Sequence, residues 1–269
     1  MVRLPAVSGR FYPSDPEELV GQVAELCATP ASEPPRRAVA CLVPHAGYYF
    51  SGHVAGSVYG RLDLPRRFLL LGPRHFPRGK PQAILSQGTW QTPLGQAEID
   101  ADLASELKIA CASLAEDDVA HRDEHAIEVQ VPFLQCLASE FRFVPIALGT
   151  VNYAELDSLG QAIAAVLLRQ TDPVLIVASS DMNHYESDAI TRRKDHKALE
   201  ALLALDPRRL YDTVRRESIT MCGFGPAVVM LTASRLLGAT RARLVRYATS
   251  GDINGERDQV VGYAGIIVN

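Results

Sequence analysis

The sequence predicts an α/β fold: one domain over residues 1–269, with a largely parallel or mixed central sheet and helices on both faces. Three observations carry this. Short apolar runs of strand length, at 39–43, 68–71, 141–148 and 173–178, alternate with longer segments of helical periodicity. Each run stops at a proline, a glycine or a polar cluster, as strands of a parallel sheet do where they turn into loops. The 269 residues suffice for one large α/β domain, and no internal repeat, low-complexity tract or long linker divides them.

Taken in order, Ser14-Asp15-Pro16-Glu17 starts a helix over 16–27, with Leu19, Val20, Val23 and Leu26 on one face. A proline-rich loop spans 29–36, and the strand at 39–43 ends at Pro44. A helix follows at 51–61, then the strand at 68–71, which Gly72-Pro73 should end. Residues 83–94 read as a hairpin or edge region, and Asp100 caps a helix to Ala110. Residues 123–137 read as helical, with Pro132 set against it. The strand at 141–148 leads to an amphipathic helix over 154–169. After the strand at 173–178 come helices at 192–205, 207–217 and 225–237. Two strand-like runs, 244–248 and 260–268, close the chain around a polar Gly/Asp/Asn loop.

Composition narrows the function class. A net charge of −4 with scattered Lys and Arg excludes a nucleic-acid surface. The first fifteen residues lack a signal-peptide core, and no apolar run reaches the roughly 18 residues that span a bilayer. The expectation is a cytoplasmic protein with no membrane or nucleic-acid partner. The five cysteines, Cys27, Cys41, Cys111, Cys136 and Cys222, contain no C-x-x-C pair, which argues against a disulfide framework or a zinc knuckle.

Three strands run into polar loops that hold a histidine: His45, His75 and His184. If the strands are parallel, their carboxyl ends share one edge, where open α/β sheets bind ligands. Cys222 joins them by local chemistry. It sits in Met-Cys-Gly-Phe-Gly-Pro, whose glycines permit close backbone approach to a ligand, just before a helix whose dipole is expected to lower the thiol pKa. A thiolate beside two imidazoles is a metal donor set. Taken singly, each histidine reads as a loop-pinning hydrogen bonder and Cys222 as a buried residue at a helix start. His53 and His196 read as structural or solvated.

A second cluster competes. His121-Arg122-Asp123-Glu124-His125 spells H-x-x-E-H, which on a helix places two zinc-binding histidines on one face with Glu124 as general base. No third ligand follows downstream, so Glu124 and His125 are better read as lining the cleft. No serine-hydrolase elbow, Walker loop or dinucleotide fingerprint follows any strand.

The ordered motifs VPHAGYYFSG, LLLGPRHF, DEHAIEVQVPFL, VPIALG, LIVASSDMNHY and MCGFGP resemble the MEMO family, whose prokaryotic members are called AmmeMemoRadiSam system protein B. The resemblance runs from AVSGRFYP to the terminal YAGIIV. It implies a fold like that of class III extradiol dioxygenases and a metal centre formed by His45, His75 and Cys222. It places His184 where those enzymes keep their general base; Asp181 is expected, from its place in the same loop, to tune it. It also implies radical-SAM and AMMECR1-like proteins as partners. Extradiol dioxygenases hold Fe(II) with two histidines and a carboxylate, whereas the third donor here is Cys222. A thiolate points to iron or copper, with zinc as a further candidate.

Three functional readings stand at this level. The first is a metal-dependent redox enzyme on a small organic substrate, with His184 and Asp181 catalytic and Glu124 and His125 orienting ligands or substrate. The second is a non-catalytic module that holds a peptide or protein in the cleft. The third is a zinc peptidase using His121 and His125.

Overall fold

The apolar runs become strands that bury side chains on both faces of one sheet. The computed structural model describes residues 1–29, 34–138 and 140–269. Its strands are β1 (Val2–Arg3), β2 (Ala40–Val43), β3 (Arg67–Pro73), β4 (Gln82–Ile84), β5 (Thr89–Thr92), β6 (Gly95–Ile99), β7 (Ala115–Glu116), β8 (Arg142–Leu148), β9 (Val174–Ser179), β10 (His184–Glu186), β11 (Ala242–Thr249) and β12 (Val260–Val268). The main path is β1-β5-β6-β8-β3-β9-β2-β12-β10, with β11 on β12 and β4 and β7 attached through β8. Its centre, β8-β3-β9-β2, is parallel, whereas β12 runs antiparallel to β2 and β5–β6 is an antiparallel hairpin.

Helices cover both faces: α1 (Pro16–Leu26), α2 (His53–Tyr59), α3 (Ala101–Ala110), α4 (Val119–Arg122), α5 (Val131–Leu137), α6 (Tyr153–Leu167), α7 (Asp188–Leu203), α8 (Pro207–Arg216), α9 (Phe224–Leu236) and α10 (Gly251–Asn254). Successive strand residues point to opposite faces. Cys41, Val43, Phe68 and Leu70 pack with Leu19 of α1, Val58 of α2 and Phe133 of α5. Ala40, Leu42, Leu69 and Leu71 pack with Leu159 and Ile163 of α6 and Val228 and Leu231 of α9. Each fully buried side chain such as Leu42 or Leu69 contributes about 2 kcal/mol. This burial on both faces fixes the strand ends that carry the site.

Several local expectations change. The strand expected at 68–71 runs two residues further, through Gly72 and Pro73, which pair with Ala147 and Leu148 of β8. The pairing of β3 with β9 stops at Leu71, so the missing proline N–H faces no partner strand. Residues 123–127 are not helical; a 3₁₀ turn, Glu128–Gln130, leads directly into α5. Pro132 sits in the first turn of α5, where its N–H is not needed. The helix expected at 51–61 begins as a π-helical turn, Tyr48–Gly52. The proline-rich loop expected over 29–36 lies in part, at 30–33, outside the described residues. Among the described residues no helix is long and apolar enough to cross a membrane.

Candidate metal centre

Strands β2, β3 and β9 are parallel neighbours, with Leu71 opposite Ala178 and Val43 opposite Ser179. Their carboxyl ends therefore meet at one edge, and His45 and His75 emerge from adjacent loops. The two rings lie 5.2 Å apart, nearly perpendicular. A third ring joins them. His125 stacks on His75 at 4.6 Å and stands 5.5 Å from His45. One ring nitrogen from each of His45, His75 and His125 lies within 4.8 Å of the other two, a grouping that can hold a metal ion.

Glu124 organises this cluster. Its buried carboxylate accepts the backbone N–H of His75 at 2.6 Å, faces His75 Nδ1 at 2.9 Å and accepts the N–H of Ala126 at 2.9 Å. A carboxylate only accepts, so His75 Nδ1 carries a proton and Nε2 is its free donor atom. Burial pulls His75 towards neutrality, but the hydrogen bond and field of Glu124 outweigh it and raise its pKa. Burial also opposes charge on Glu124, yet His75 holds it down at about 2. His45 is pushed well below the usual histidine range by burial and then by His75. His125 is lowered to about 4 by burial and then by His45. Two neutral imidazoles beside a carboxylate-oriented third form a metal-compatible donor set.

The family described as Memo-like protein matches residues 3–267. The chain belongs to that family. A MEMO1 family protein of Methanopyrus kandleri is 40% identical over 280 residues, covering 99% of each chain. One from Aquifex aeolicus is 42% identical over 268 residues, covering 99% of this chain and 98% of its own. The crystal structure of an uncharacterized protein from Escherichia coli K12 matches with a TM-score of 0.57 at 13% identity, covering 84% of this chain and 99% of that one. At that identity the likeness supports the α/β fold alone.

Around the cluster, the Memo-like chain places the remaining sequence candidates at different depths. Cys222 Sγ lies 3.2 Å from His45 Nε2 and 3.7 Å from the Asp181 carbonyl oxygen. The expectation that the α9 dipole lowers this thiol does not hold. Burial, and then the Asp181 carboxylate, push it well above the usual thiol range. The flanking glycine serves the protein rather than a ligand. A Cβ on Gly223 would sit 2.3 Å from the Ser179 carbonyl oxygen and 2.5 Å from Ser180 Cβ, so only glycine lets the Cys222 loop lie against the end of β9. Asp181 is buried, its carboxyl raised by desolvation, and its Oδ1 accepts the N–H of His45 at 2.8 Å. His184 starts β10. Its Nδ1 lies 2.9 Å from the Thr220 carbonyl oxygen, so that nitrogen donates and Nε2 is free.

The H-x-x-E-H segment forms no zinc-peptidase helix. Helix α4 ends at Arg122, so His121 and His125 do not share a helical face. His121 is wholly buried, with Nε2 at 3.2 Å from the Ala83 carbonyl oxygen and its ring against Trp90. His53 opens α2, and His196 is exposed beside Glu200 at 3.8 Å. Two buried residues at the centre lie inside the motifs LIVASSDMNHY and DEHAIEVQVPFL but carry no metal-ligand or catalytic signature of their own. Ser179 lies 2.9 Å from His45 Nδ1, and Gln130 donates to Ser179 Oγ at 3.0 Å. The signals for Gln130 were its place in DEHAIEVQVPFL and its polarity inside the apolar run Val129-Gln130-Val131.

A polar cavity of about 990 Å³, lined by Arg67, Asp100, Arg142 and Gln170, lies at the opposite edge. It is bordered by the starts of β3 and β8 and is remote from the histidines.

Proposed function

We propose that this Memo-like protein is a metal-dependent redox enzyme acting on a small organic substrate at the carboxyl edge of its sheet. The observation that carries the reading is the convergence of His45, His75 and His125 within 4.8 Å. His45, His75 and Cys222 would hold the ion; Cys222 lies 3.2 Å from His45 Nε2 but outside the 4.8 Å grouping, in which His125 is the third imidazole. Iron or copper suits this mixed imidazole and thiol set, with zinc as the third candidate. When bound, such an ion supplies Lewis acidity and, for iron or copper, one-electron chemistry. Glu124 keeps His75 in the tautomer that offers Nε2. His184, with Nε2 free, would take or give a proton at the substrate, and the nearby Asp181 would bias which.

Metal analysis of anaerobically purified wild type, with anomalous scattering at the iron, copper and zinc edges, tests this reading. It predicts one ion between His45 and His75. Background metal content in the wild type after reconstitution with all three metals would overturn it.

A second reading is a non-catalytic binding module. Tyr49 and Tyr185, 66% and 73% exposed, lie a few residues from His45 and next to His184 and offer contact area for a peptide. Radical-SAM and AMMECR1-like proteins would be its partners, and affinity capture with each as bait tests it. If all baits fail while a substrate turns over, this reading is removed.

A further inference from the structure

A chain of buried hydrogen bonds behind His45 has a fixed direction. It begins at two carbonyl oxygens, which only accept. Gln130 Nε2 lies 2.9 Å from the Pro44 carbonyl oxygen and 3.0 Å from Ser179 Oγ. Turning that amide over would set its oxygen against the Pro44 oxygen, so the NH₂ must face this way and donate to both. Gln130 Oε1 then accepts from the Tyr59 hydroxyl at 3.0 Å. Ser179 Oγ lies 2.6 Å from the Ala126 carbonyl oxygen, so the single hydroxyl proton of Ser179 is committed there. One lone pair of Ser179 accepts from Gln130. Only a lone pair remains for His45 Nδ1, at 2.9 Å. His45 Nδ1 must therefore carry a proton, and its Nε2 is the unprotonated nitrogen, with Cys222 Sγ at 3.2 Å.

We propose that Ser179 and Gln130, held by Tyr59, are positioning residues that lock His45 in the Nδ1–H tautomer and so keep Nε2 ready as a metal donor. The metal role rests on the proposed centre, but the lock itself does not. The four residues come from different elements: Tyr59 from α2, Gln130 from the 3₁₀ turn, Ser179 from the end of β9 and His45 from the loop after β2. His75 reaches the same tautomer by another route, through the Glu124 carboxylate. A hydroxyl is a neutral acceptor and can also donate. It directs His45 only because Ala126 and Gln130 have used up its alternatives.

The test is ring ¹H–¹⁵N correlation spectroscopy of metal-free protein with labelled histidine, alongside zinc(II) affinity by competition with a chromophoric chelator. Wild type should show Nδ1–H at both His45 and His75. In Ser179→Ala, His45 should shift towards Nε2–H while His75 stays unchanged, which also reports an intact fold. Zinc affinity should fall roughly ten- to hundred-fold. Ser179→Cys keeps the volume but offers only a weak acceptor, and it should move the His45 tautomer in the same direction if the alanine variant does not fold. A wild-type His45 protonated at Nε2, or a tautomer indifferent to both substitutions, overturns the lock. The expected tautomers in a wild type that binds no zinc, iron or copper would leave the lock standing and remove the metal-centre reading instead.

Discussion

Glu124 grips His75 at two points, accepting its backbone N–H at 2.6 Å and meeting its Nδ1 at 2.9 Å. One carboxylate thus fixes both where the imidazole sits and which nitrogen it offers. Replacing it by glutamine would set an amide N–H against one of those two donors. Glu124→Gln should lower zinc(II) affinity by roughly ten- to hundred-fold, measured by chelator competition. A change of less than about twofold would show that the grip is dispensable.

Burial holds the Cys222 thiol well above its usual range, so joining an ion would require it to lose a proton. Metal binding at neutral pH should release about one proton more per ion in the wild type than in Cys222→Ser, read by calorimetry in buffers of different ionisation enthalpy, because His75 contributes equally to both. Cys222→Ser should also remove the thiolate charge-transfer band of the cobalt(II) form. Identical spectra in the two proteins would take Cys222 out of the donor set.

The two histidines of the H-x-x-E-H segment should separate cleanly. His125→Ala removes a ring from the cluster and should weaken metal binding. His121→Gln should leave metal content at the wild-type level and cost about 1–3 kcal/mol of stability through the bond to the Ala83 carbonyl. Metal loss in the His121 variant with stability retained would revive the peptidase reading.

The loop between β9 and β10 is also tied down from the far side. Asp195 accepts the N–H of Asn183, the neighbour of His184, at 2.8 Å and the hydroxyl of Tyr247 at 2.7 Å. Burial pushes its carboxyl up to about 7, against an ordinary value near 4. The folded chain binds this proton more tightly than the unfolded one. Its contribution to stability is therefore full below about pH 4 and is lost as pH rises through the window to about 7, by roughly 4 kcal/mol. Asp195→Asn should flatten that slope in urea denaturation series across the window. An unchanged slope would mean that the carboxylate is charged throughout.

Gly223→Ala should lower the melting temperature, because the added methyl would meet the Ser179 carbonyl oxygen, which is fixed in the sheet. Overpacking of this kind costs about 1–3 kcal/mol. If the alanine variant melts with the wild type, the Cys222 loop is free to move away from β9.

Much of the fold was legible because apolar period and chain breakers are local signals. The runs at 39–43, 68–71, 141–148 and 173–178 became the parallel centre β2, β3, β8 and β9. The errors lie where tertiary context overrides local preference. Residues 123–127 carry helical periodicity, yet they unwind so that Glu124 reaches His75 and His125 reaches the cluster. Gly72-Pro73 look like a strand end, yet β8 carries them on because only one side of β3 is paired there.

For the site, the sequence by itself determined that His45, His75 and His184 each follow an apolar strand and that Cys222 precedes a helix. It also determined the Memo-like family, since ordered motifs run through nearly the whole chain. The tertiary structure decided which of these groups meet. It brought in His125, set Cys222 against His45 Nε2 and turned His121 into the core. It alone revealed Ser179 and Gln130, whose role depends on the direction of each hydrogen bond. The physical reason is range. Periodicity and capping act over a few residues, whereas Ser179 contacts His45 and Gln130 contacts Pro44 across separations of 134 and 86 residues. Such distant contacts form only when strand order and register are fixed by burial on both faces of the sheet.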